Sequence, residues 1–332
     1  MTIKKQKAIA QSNVLRFNQE SSKGHYESYF LRANHPTKKE AFWIRYTIFS
    51  PKGSNEKAIG EVWAIYFNED GHTASKQEVS IDKCVLNNTH FDIKIGNNTL
   101  GRTKAHGDID NICWDLKYDC TEVPIFLLPL NYYDLPFPKA KSIVSQPFAK
   151  FNGTLTVGDK KIDITNWVGS QNHNWGEKHT DYYAWGQVAG FDNYPDSFLE
   201  IITAKQKIGV LSTPFLTLLV LRHRGKTYSL NTIMSGIKSK GEFDFFHWEF
   251  SCEDKNVKIS GSIEANKEDF VGLNYYNPIG GTKDCLNSKV ASCKLVIEEK
   301  SKVGFHDELE CKQSAAFEIL TDNKPHGITI NF

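Results

Sequence analysis

The stretch GTLTVGDKKIDITNWVG, residues 153–169, carries the clearest strand pattern of this chain. Apolar and β-branched residues alternate with polar ones on both sides of Gly158-Asp159, which is typical of two strands joined by a tight turn. We therefore predict a β-hairpin closed at Gly158-Asp159. The same texture occurs in AFWIRYTIFS (41–50), GEVWAIYFNEDG (60–71) and THFDIKIGNNTLG (89–101). Further strand-like segments follow from about residue 198 onward.

The period of two predicts an all-β protein. Short strands recur about every 8–15 residues with Gly-Lys and Asp-Lys-Asn turns between them, as in sandwiches and barrels. No long stretch repeats apolar residues at helical spacing, so we expect one or two short helices at most. The segment 121–142 contains four prolines, which predicts a connection rather than a central strand.

The length of 332 residues suits two domains, and 40% hydrophobic residues provide for a large core. Strand patterns fill residues 25–120 and 148–168, and a second series follows an aromatic segment. We predict an N-terminal barrel over residues 1–185 and a C-terminal barrel over residues 186–332.

Charge and composition limit the partners. The formal net charge is +1, from 40 basic and 39 acidic side chains, so there is no electrostatic footprint for nucleic acid. The N-terminus has no apolar run typical of a secretory signal, and no window approaches a membrane helix. Seven cysteines without a CxxC pair indicate reduced thiols. We expect a cytoplasmic protein without an integral membrane segment.

The segment GSQNHNWGEKHTDYYAWGQ, residues 169–187, combines bulky rings with hydrogen-bonding groups. If the chain is extended from residue 179, one face of the strand carries a row of side chains with aromatic and polar groups. Such a face is typical of a mostly apolar cavity with a few placed polar groups. We predict ligand-binding roles for the side chains Asn172, Asn174, His179, Tyr183, Trp185 and Gln187. The alternative is a structural corner, in which Trp and Tyr pack in a core.

A metal site is the weaker alternative for this segment. His173 and His179, with Asp181 or Glu177, could supply two or three ligands, but the H-x5-H spacing matches no zinc signature. We therefore predict no metal. Phosphate-binding glycine motifs and a Gly-x-Ser-x-Gly elbow do not occur.

The motif QNHNWG (171–176), the strand YYAWGQ (182–187) and the acidic strand SFLEI (197–201) resemble the lipocalin-like superfamily of carotenoid hydratase (hydroxyneurosporene synthase) and AttH-type proteins. Tocopherol cyclases and Diels–Alder cyclases share that architecture. The segments HYESYFLRANHP (25–36) and CLNSKVASCKL (285–295) extend the resemblance over most of the chain. It implies two consecutive lipocalin-like antiparallel β-barrels, one or both enclosing a hydrophobic ligand.

The resemblance also implies roles for individual residues. His173 and Trp175 match positions that help to protonate a double bond and to stabilise the resulting carbocation. The hydratases use an acid in the following strand, and Glu200 is the nearest candidate. Alternation in SFLEII places Glu200 either inside the barrel, where burial raises the pKa of a carboxyl group, or on the solvated face.

In HYESYF, alternation places His25, Glu27 and Tyr29 on one strand face. They either form an exposed edge or meet the 173–185 cluster as ligand-binding residues. We expect a cofactor-independent enzyme that hydrates, isomerises or cyclises a terpenoid, carotenoid or polyketide-like substrate. The alternative is a non-catalytic cytosolic carrier of a lipid-like ligand.

Overall fold

A computed structural model describes residues 2–53, 57–208, 211–301, 306–322 and 325–331. Contacts between residues divide the chain into two units. The first contains residues 1–126, 130–179 and 276–282, and the second contains residues 127–129, 180–275 and 283–332. The predicted domain boundary at residues 185/186 stays a prediction.

The first unit is one antiparallel sheet preceded by helix α1 (Ile3–Ala10). Its strands are β1 (His25–Asn34), β2 (Ala41–Ser50), β3 (Ile59–Asn68), β4 (Gly71–Ser80), β5 (Cys84–Leu86), β6 (Asp92–Ile95), β7 (Asn98–Gly101), β8 (Lys104–Ile109), β9 (Ile112–Asp119), β10 (Ile125–Phe126), β11 (Ala140–Val157) and β12 (Lys160–Gly176). They are ordered β4-β3-β2-β1-β12-β11-β9-β8-β7-β6-β5, and β10 pairs with β11.

The second unit is a second antiparallel sheet with helix α2 (Ile233–Lys238). Its strands are β13 (Tyr182–Ala189), β14 (Phe198–Lys205), β17 (Leu216–His223), β18 (Lys226–Leu230), β19 (Lys240–Asp244), β20 (His247–Glu253), β21 (Val257–Glu264), β22 (Val271–Tyr276), β23 (Thr282–Glu299) and β24 (His306–Thr321). They are ordered β18-β17-β14-β13-β24-β23-β21-β20-β19, and β22 pairs with β23. A ribbon of β15 (Lys207–Ile208) and β16 (Leu211–Ser212) lies outside this order.

The predicted hairpin is confirmed, because β11 ends at Val157 and β12 begins at Lys160. Gly158 has φ +57°, a left-handed conformation that glycine adopts without steric cost. The two strands continue through long runs of paired residues. The two strands of this hairpin therefore lie in the middle of the first sheet.

Each sheet curls until its two ends approach each other. In the first unit, a Cβ on Gly60 of β3 would lie 2.5 Å from Cys84 Sγ and 2.8 Å from Ile95 Cγ2. The Asn98 side chain of β7 also donates to Gln77 Oε1 of β4 at 3.0 Å. In the second unit, Trp248 Nε1 of β20 donates to Thr203 Oγ1 of β14 at 3.2 Å. The predicted all-β class with two lipocalin-like barrels is confirmed.

The interiors of both units are packed with apolar side chains. In the first, Trp114, Phe151 and Trp167 lie among aliphatic residues from β1, β2 and β3. In the second, Leu199, Trp248 and the β-branched residues of β21 and β23 form the core. Within the part of the chain that the structure describes, no helix combines the length and apolarity needed to span a membrane.

Candidate functional site

The register of β1 against β12 brings two separate sequence motifs together. Tyr29 lies opposite His173, and Glu27 lies opposite Trp175. Because side chains alternate along a strand, these four project from the same face of the sheet. The Tyr29 and His173 rings are stacked with centroids 4.1 Å apart and planes 10° apart. The alternative of an exposed edge for HYESYF is wrong, since β1 lies between β2 and β12.

Glu27 is completely buried and accepts hydrogen bonds from several donors. The backbone N–H groups of Arg16 and Phe17 donate to it at 2.8 and 2.6 Å, and the Tyr29 hydroxyl donates at 2.8 Å. His25 Nε2 is 3.0 Å away. An N–H group has no lone pair to offer, so Glu27 is an ionised carboxylate. Burial opposes ionisation, but the hydrogen bonds from His173 and His25 outweigh it and lower the pKa of Glu27 to about 2.

His173 is equally buried, and both of its ring nitrogens have acceptors. Nδ1 is 2.7 Å from the Ser12 carbonyl oxygen, and Nε2 is 2.8 Å from Glu27 Oε1. A carbonyl oxygen only accepts, so Nδ1 carries a proton, and the ionised carboxylate requires a second proton on Nε2. The geometry therefore describes a buried ion pair between the His173 imidazolium and the Glu27 carboxylate.

Residues 12–17, which we call the N-terminal strap, cover this ion pair. The Ser12 carbonyl accepts from His173, and the N–H groups of Arg16 and Phe17 donate to Glu27. In addition, Asn13 donates to Gln171 Oε1 at 2.6 Å. The Arg16 guanidinium lies 5.1 Å from the centre of the Trp175 ring, a cation–π contact. The ring centroids of Trp175 and His173 are in turn 4.6 Å apart. The strap has neither strand nor helix periodicity, so its position could not be predicted from the sequence.

The other predicted residues of β12 lie on the opposite face from His173. Asn172 donates to Ser170 Oγ at 2.8 Å, and Asn174 is half-buried opposite Ser28. The sequence predicts His179 on an extended strand, but β13 begins only at Tyr182. That expectation is wrong because the chain bends over residues 177–181. His179 instead stacks on Tyr26 with ring centroids 3.9 Å apart.

In the second unit, Trp185, Gln187 and Glu200 form a second polar cluster. Trp185 Nε1 donates to one carboxylate oxygen of Glu200 at 2.8 Å, and Gln187 Nε2 donates to the other at 2.9 Å. The strand register explains this contact, since Gln187 pairs with Glu200 between β13 and β14. Tyr183 lies on the same face of β13 and is partly exposed.

A buried lysine completes this cluster. Lys289 donates to Glu318 Oε1 at 2.9 Å and to the Asn287 side chain, and Asn287 donates to the same Glu318 oxygen at 3.1 Å. The Lys289 ammonium lies 5.4 Å from the centre of the Trp185 ring. Lys289 and Glu318 are not among the predicted site residues, although a lysine within a largely apolar strand such as CLNSKVASCKL indicates a buried charge.

Neither alternative expected for Glu200 is correct. Glu200 is buried, so it does not lie on a solvated face. However, the core of the second barrel is formed by its neighbours Leu199 and Ile201, so Glu200 projects from the other face of the sheet. The structure thus places His173 and Glu200 in different units, each with its own hydrogen-bond partners.

Comparison with curated proteins finds two uncharacterized Mycobacterium tuberculosis proteins, from strains H37Rv and CDC 1551. Each is 22% identical to this chain over 274 residues, covering 82% of this chain and 81% of the relative. No protein-family model matches the chain.

Three solved structures share the fold. An AttH-type protein of Nitrosomonas europaea has a TM-score of 0.58 at 9% identity, covering 93% of this chain and 96% of its own. Kievitone hydratase from Nectria haematococca has a TM-score of 0.57 at 12% identity, covering 90% and 89%. CghA, solved with Sch210972, has a TM-score of 0.56 at 10% identity, covering 90% and 88%. At such identities the likeness shows the fold, and the predicted resemblance is confirmed at that level.

Proposed function

We propose that this protein is an acid–base enzyme that hydrates, isomerises or cyclises a hydrophobic small molecule. The observation that carries the proposal is the buried ion pair of His173 and Glu27, in which the His173 ring contacts the rings of Tyr29 and Trp175. A proton held on a buried imidazolium beside aromatic faces is suited to reactions through cations. Kievitone hydratase has the same fold, which supports this class of reaction.

In the proposed reaction, His173 donates a proton to one carbon of a substrate double bond. The neighbouring carbon becomes a cation, and the face of Trp175 stabilises it. Water can then add to the cation and return a proton to His173, which gives hydration. Attack by a second double bond closes a ring and leaves a new cation, which loses a proton to His173 to give the cyclised product. Direct loss of a neighbouring proton to His173 gives isomerisation. Glu27 holds the imidazole in position and offsets its charge throughout.

The strap must open for this reaction, because His173 has no exposed surface while Ser12 and Arg16 lie against it and its neighbour Trp175. The Arg16 guanidinium shows that the Trp175 ring accommodates a cation. The substrate cation would take the position that Arg16 occupies. The family resemblance implies Glu200 as the alternative acid, and in the second unit Trp185 and Gln187 donate to its two oxygens.

The test is an incubation in D2O with geraniol, squalene and kievitone, followed by mass spectrometry. We expect wild-type protein to place deuterium on carbon in at least one compound, and His173→Gln to lose this by about 100-fold or more. His106→Gln, at an exposed position of β8, is the matched control. Gain of one water identifies hydration, whereas cyclisation and isomerisation leave the composition unchanged except for deuterium.

A carrier of a lipid-like ligand is the second candidate. The hydrogen bonds of Glu27 favour it, because a carboxylate that already accepts from this many protein donors is well suited to a purely structural role. Native mass spectrometry and solvent extraction of the protein from its host distinguish the two. The extracted ligand is then incubated with the protein in D2O. A ligand that is recovered unchanged and without deuterium supports the carrier and contradicts the enzyme.

A further inference from the structure

The second unit contains a hydrogen-bonded serine, histidine and aspartate that the proposed function does not use. The Ser197 hydroxyl is 2.7 Å from His223 Nδ1, and His223 Nε2 is 2.9 Å from Asp307 Oδ2. All three side chains are almost completely buried. No local sequence motif predicts this set, because the three residues come from separate parts of the chain. A serine–histidine–aspartate triad is recognised by its geometry rather than by sequence position.

The fold places these residues at one end of the second barrel. Ser197 directly precedes β14, His223 is the last residue of β17, and Asp307 is the second residue of β24. The β13–β14 turn docks on the start of β24, since Asp192 N donates to the Glu310 carbonyl at 2.7 Å. Asn193 Nδ2 donates to the Glu308 carbonyl at 2.8 Å. These contacts fix the turn that carries Ser197 relative to Asp307.

The hydrogen bonds determine the protonation of Asp307. The Arg224 guanidinium lies 3.1 Å from Asp307 Oδ1 and the Tyr194 hydroxyl donates to the same oxygen at 3.3 Å, so Asp307 is a carboxylate that accepts from His223 Nε2. When His223 is neutral, its Nδ1 carries a lone pair and accepts the Ser197 hydroxyl proton. This is the state in which a histidine can act as a general base toward serine.

A cavity of about 350 Å³ opens at the same end of the barrel. It is lined by side chains that include Lys226, Tyr228, Leu230, Val257 and Glu299. Lys226 pairs with His223 across the β17–β18 hairpin. Because Lys226 lies opposite His223, this wall of the cavity is near the triad. Burial and the neighbouring Glu299 raise the pKa of Tyr228 to about 12. The volume suits a small molecule.

We propose that Ser197, His223 and Asp307 form a nucleophilic site that hydrolyses small carboxylic esters. Ser197 Oγ attacks the ester carbonyl carbon while His223 Nδ1 takes the hydroxyl proton. The C–O bond to the alcohol breaks, and the leaving alkoxide receives that proton. Water then attacks the acyl-serine, gives its proton to His223 and releases the carboxylic acid, and Ser197 recovers its proton.

The test uses the full chain with a fluorophosphonate probe and with p-nitrophenyl butyrate. Peptide mapping of labelled wild-type protein should identify Ser197 as the modified residue. Ser197→Ala should abolish labelling, and His223→Gln should lower both labelling and hydrolysis by about 100-fold or more. Ser262→Ala, in β21 of the same sheet, is the matched serine control.

Each outcome decides the proposal. Wild-type protein that takes up no label, or that carries it on another residue, overturns it. So does Ser197→Ala that is labelled as fast as wild type. Because mapping is done on wild-type protein, the result stands even where Ser197→Ala or His223→Gln does not fold. A purely structural network would change the melting temperature on substitution without acylation at Ser197.

Discussion

At the scale of single residues, Glu27 is a negative charge without exposed surface. The penalty for burying such a charge is several kcal/mol unless opposite charge and hydrogen bonds compensate it. Here two backbone N–H groups, a hydroxyl and two histidines do so. The same donors hold the carboxylate rigidly, which orients His173 through Nε2.

We expect Glu27→Gln to destabilise the protein by about 3 kcal/mol at neutral pH, from the lowered pKa and the unpaired imidazolium. The pKa of Glu27 is about 2 in the folded protein against an ordinary 4.5. Protons therefore bind the unfolded chain first as the pH falls. The stabilisation that the ionised Glu27 gives to the folded protein is complete above about pH 4.5 and is lost toward pH 2.

Urea unfolding between neutral pH and pH 2.5 tests this pH dependence. The difference between wild type and Glu27→Gln should shrink as the pH falls. Glu69→Gln, at an exposed position after β3, should unfold like wild type throughout. A difference that stays constant with pH would contradict the assignment of an ionised Glu27.

The Lys289–Glu318 pair makes a second prediction at this scale. Lys289→Met leaves the buried Glu318 carboxylate without its cation, so we expect a loss of about 3 kcal/mol. The double variant Lys289→Met/Glu318→Gln should recover part of this loss, because neither charge remains. A double-mutant cycle by urea unfolding measures the coupling, and Lys294→Met at an exposed position of β23 is the control. Additive losses would show that the two side chains do not interact.

Among the structural elements, the strap depends on hydrogen bonds, whereas the barrel closure depends on a small residue. The strap is held by a few hydrogen bonds to Glu27, His173 and Gln171. If it is the cover of a proton donor, removing residues 2–17 should expose His173. We expect hydroxyl-radical footprinting to oxidise His173 in the truncated protein and not in the full chain, as read by peptide mapping. Equal protection in both proteins would show that other elements cover His173.

Barrel closure depends on the small size of Gly60. A side chain there would collide with Cys84 Sγ and Ile95 Cγ2, which belong to strands at the other end of the sheet. We expect Gly60→Ala to lower the free energy of unfolding by about 1–3 kcal/mol through overpacking. Gly101→Ala, whose Cβ would have its nearest neighbour at 3.7 Å, is the matched control. Similar stability of the two variants in thermal unfolding would argue against a tight closure.

The sequence predicts strands better than it predicts the contacts between them. Period-two alternation gives the β11–β12 hairpin and the shared face of His25, Glu27 and Tyr29, because both are local properties. The pairing of Tyr29 with His173 depends on a register between distant strands, which no local pattern encodes. The triad of Ser197, His223 and Asp307 is hidden for the same reason. The predicted position of His179 is wrong because a bend interrupts the strand before Tyr182.

At the scale of the whole molecule, the two units share a fold type but carry different chemistry. The first unit has a histidine cation paired with a carboxylate, and the second has a histidine between a carboxylate and a serine, where the proposed ester hydrolysis uses its neutral form. Histidine with one free nitrogen accepts a proton, whereas histidine with both nitrogens protonated donates one. The same residue type therefore suits opposite roles in the two barrels.

This difference predicts that the two activities are separable by substitution. The His173 and Ser197 sites have no residue in common and lie in different units. We expect His173→Gln to abolish deuterium transfer to alkenes while fluorophosphonate labelling continues at the wild-type rate. Ser197→Ala should show the reverse. Parallel assays of both variants in the full chain, with thermal unfolding to verify folding, make the comparison. If each substitution removes both activities in folded protein, a single site performs both reactions, and the assignment of one reaction to each barrel is wrong.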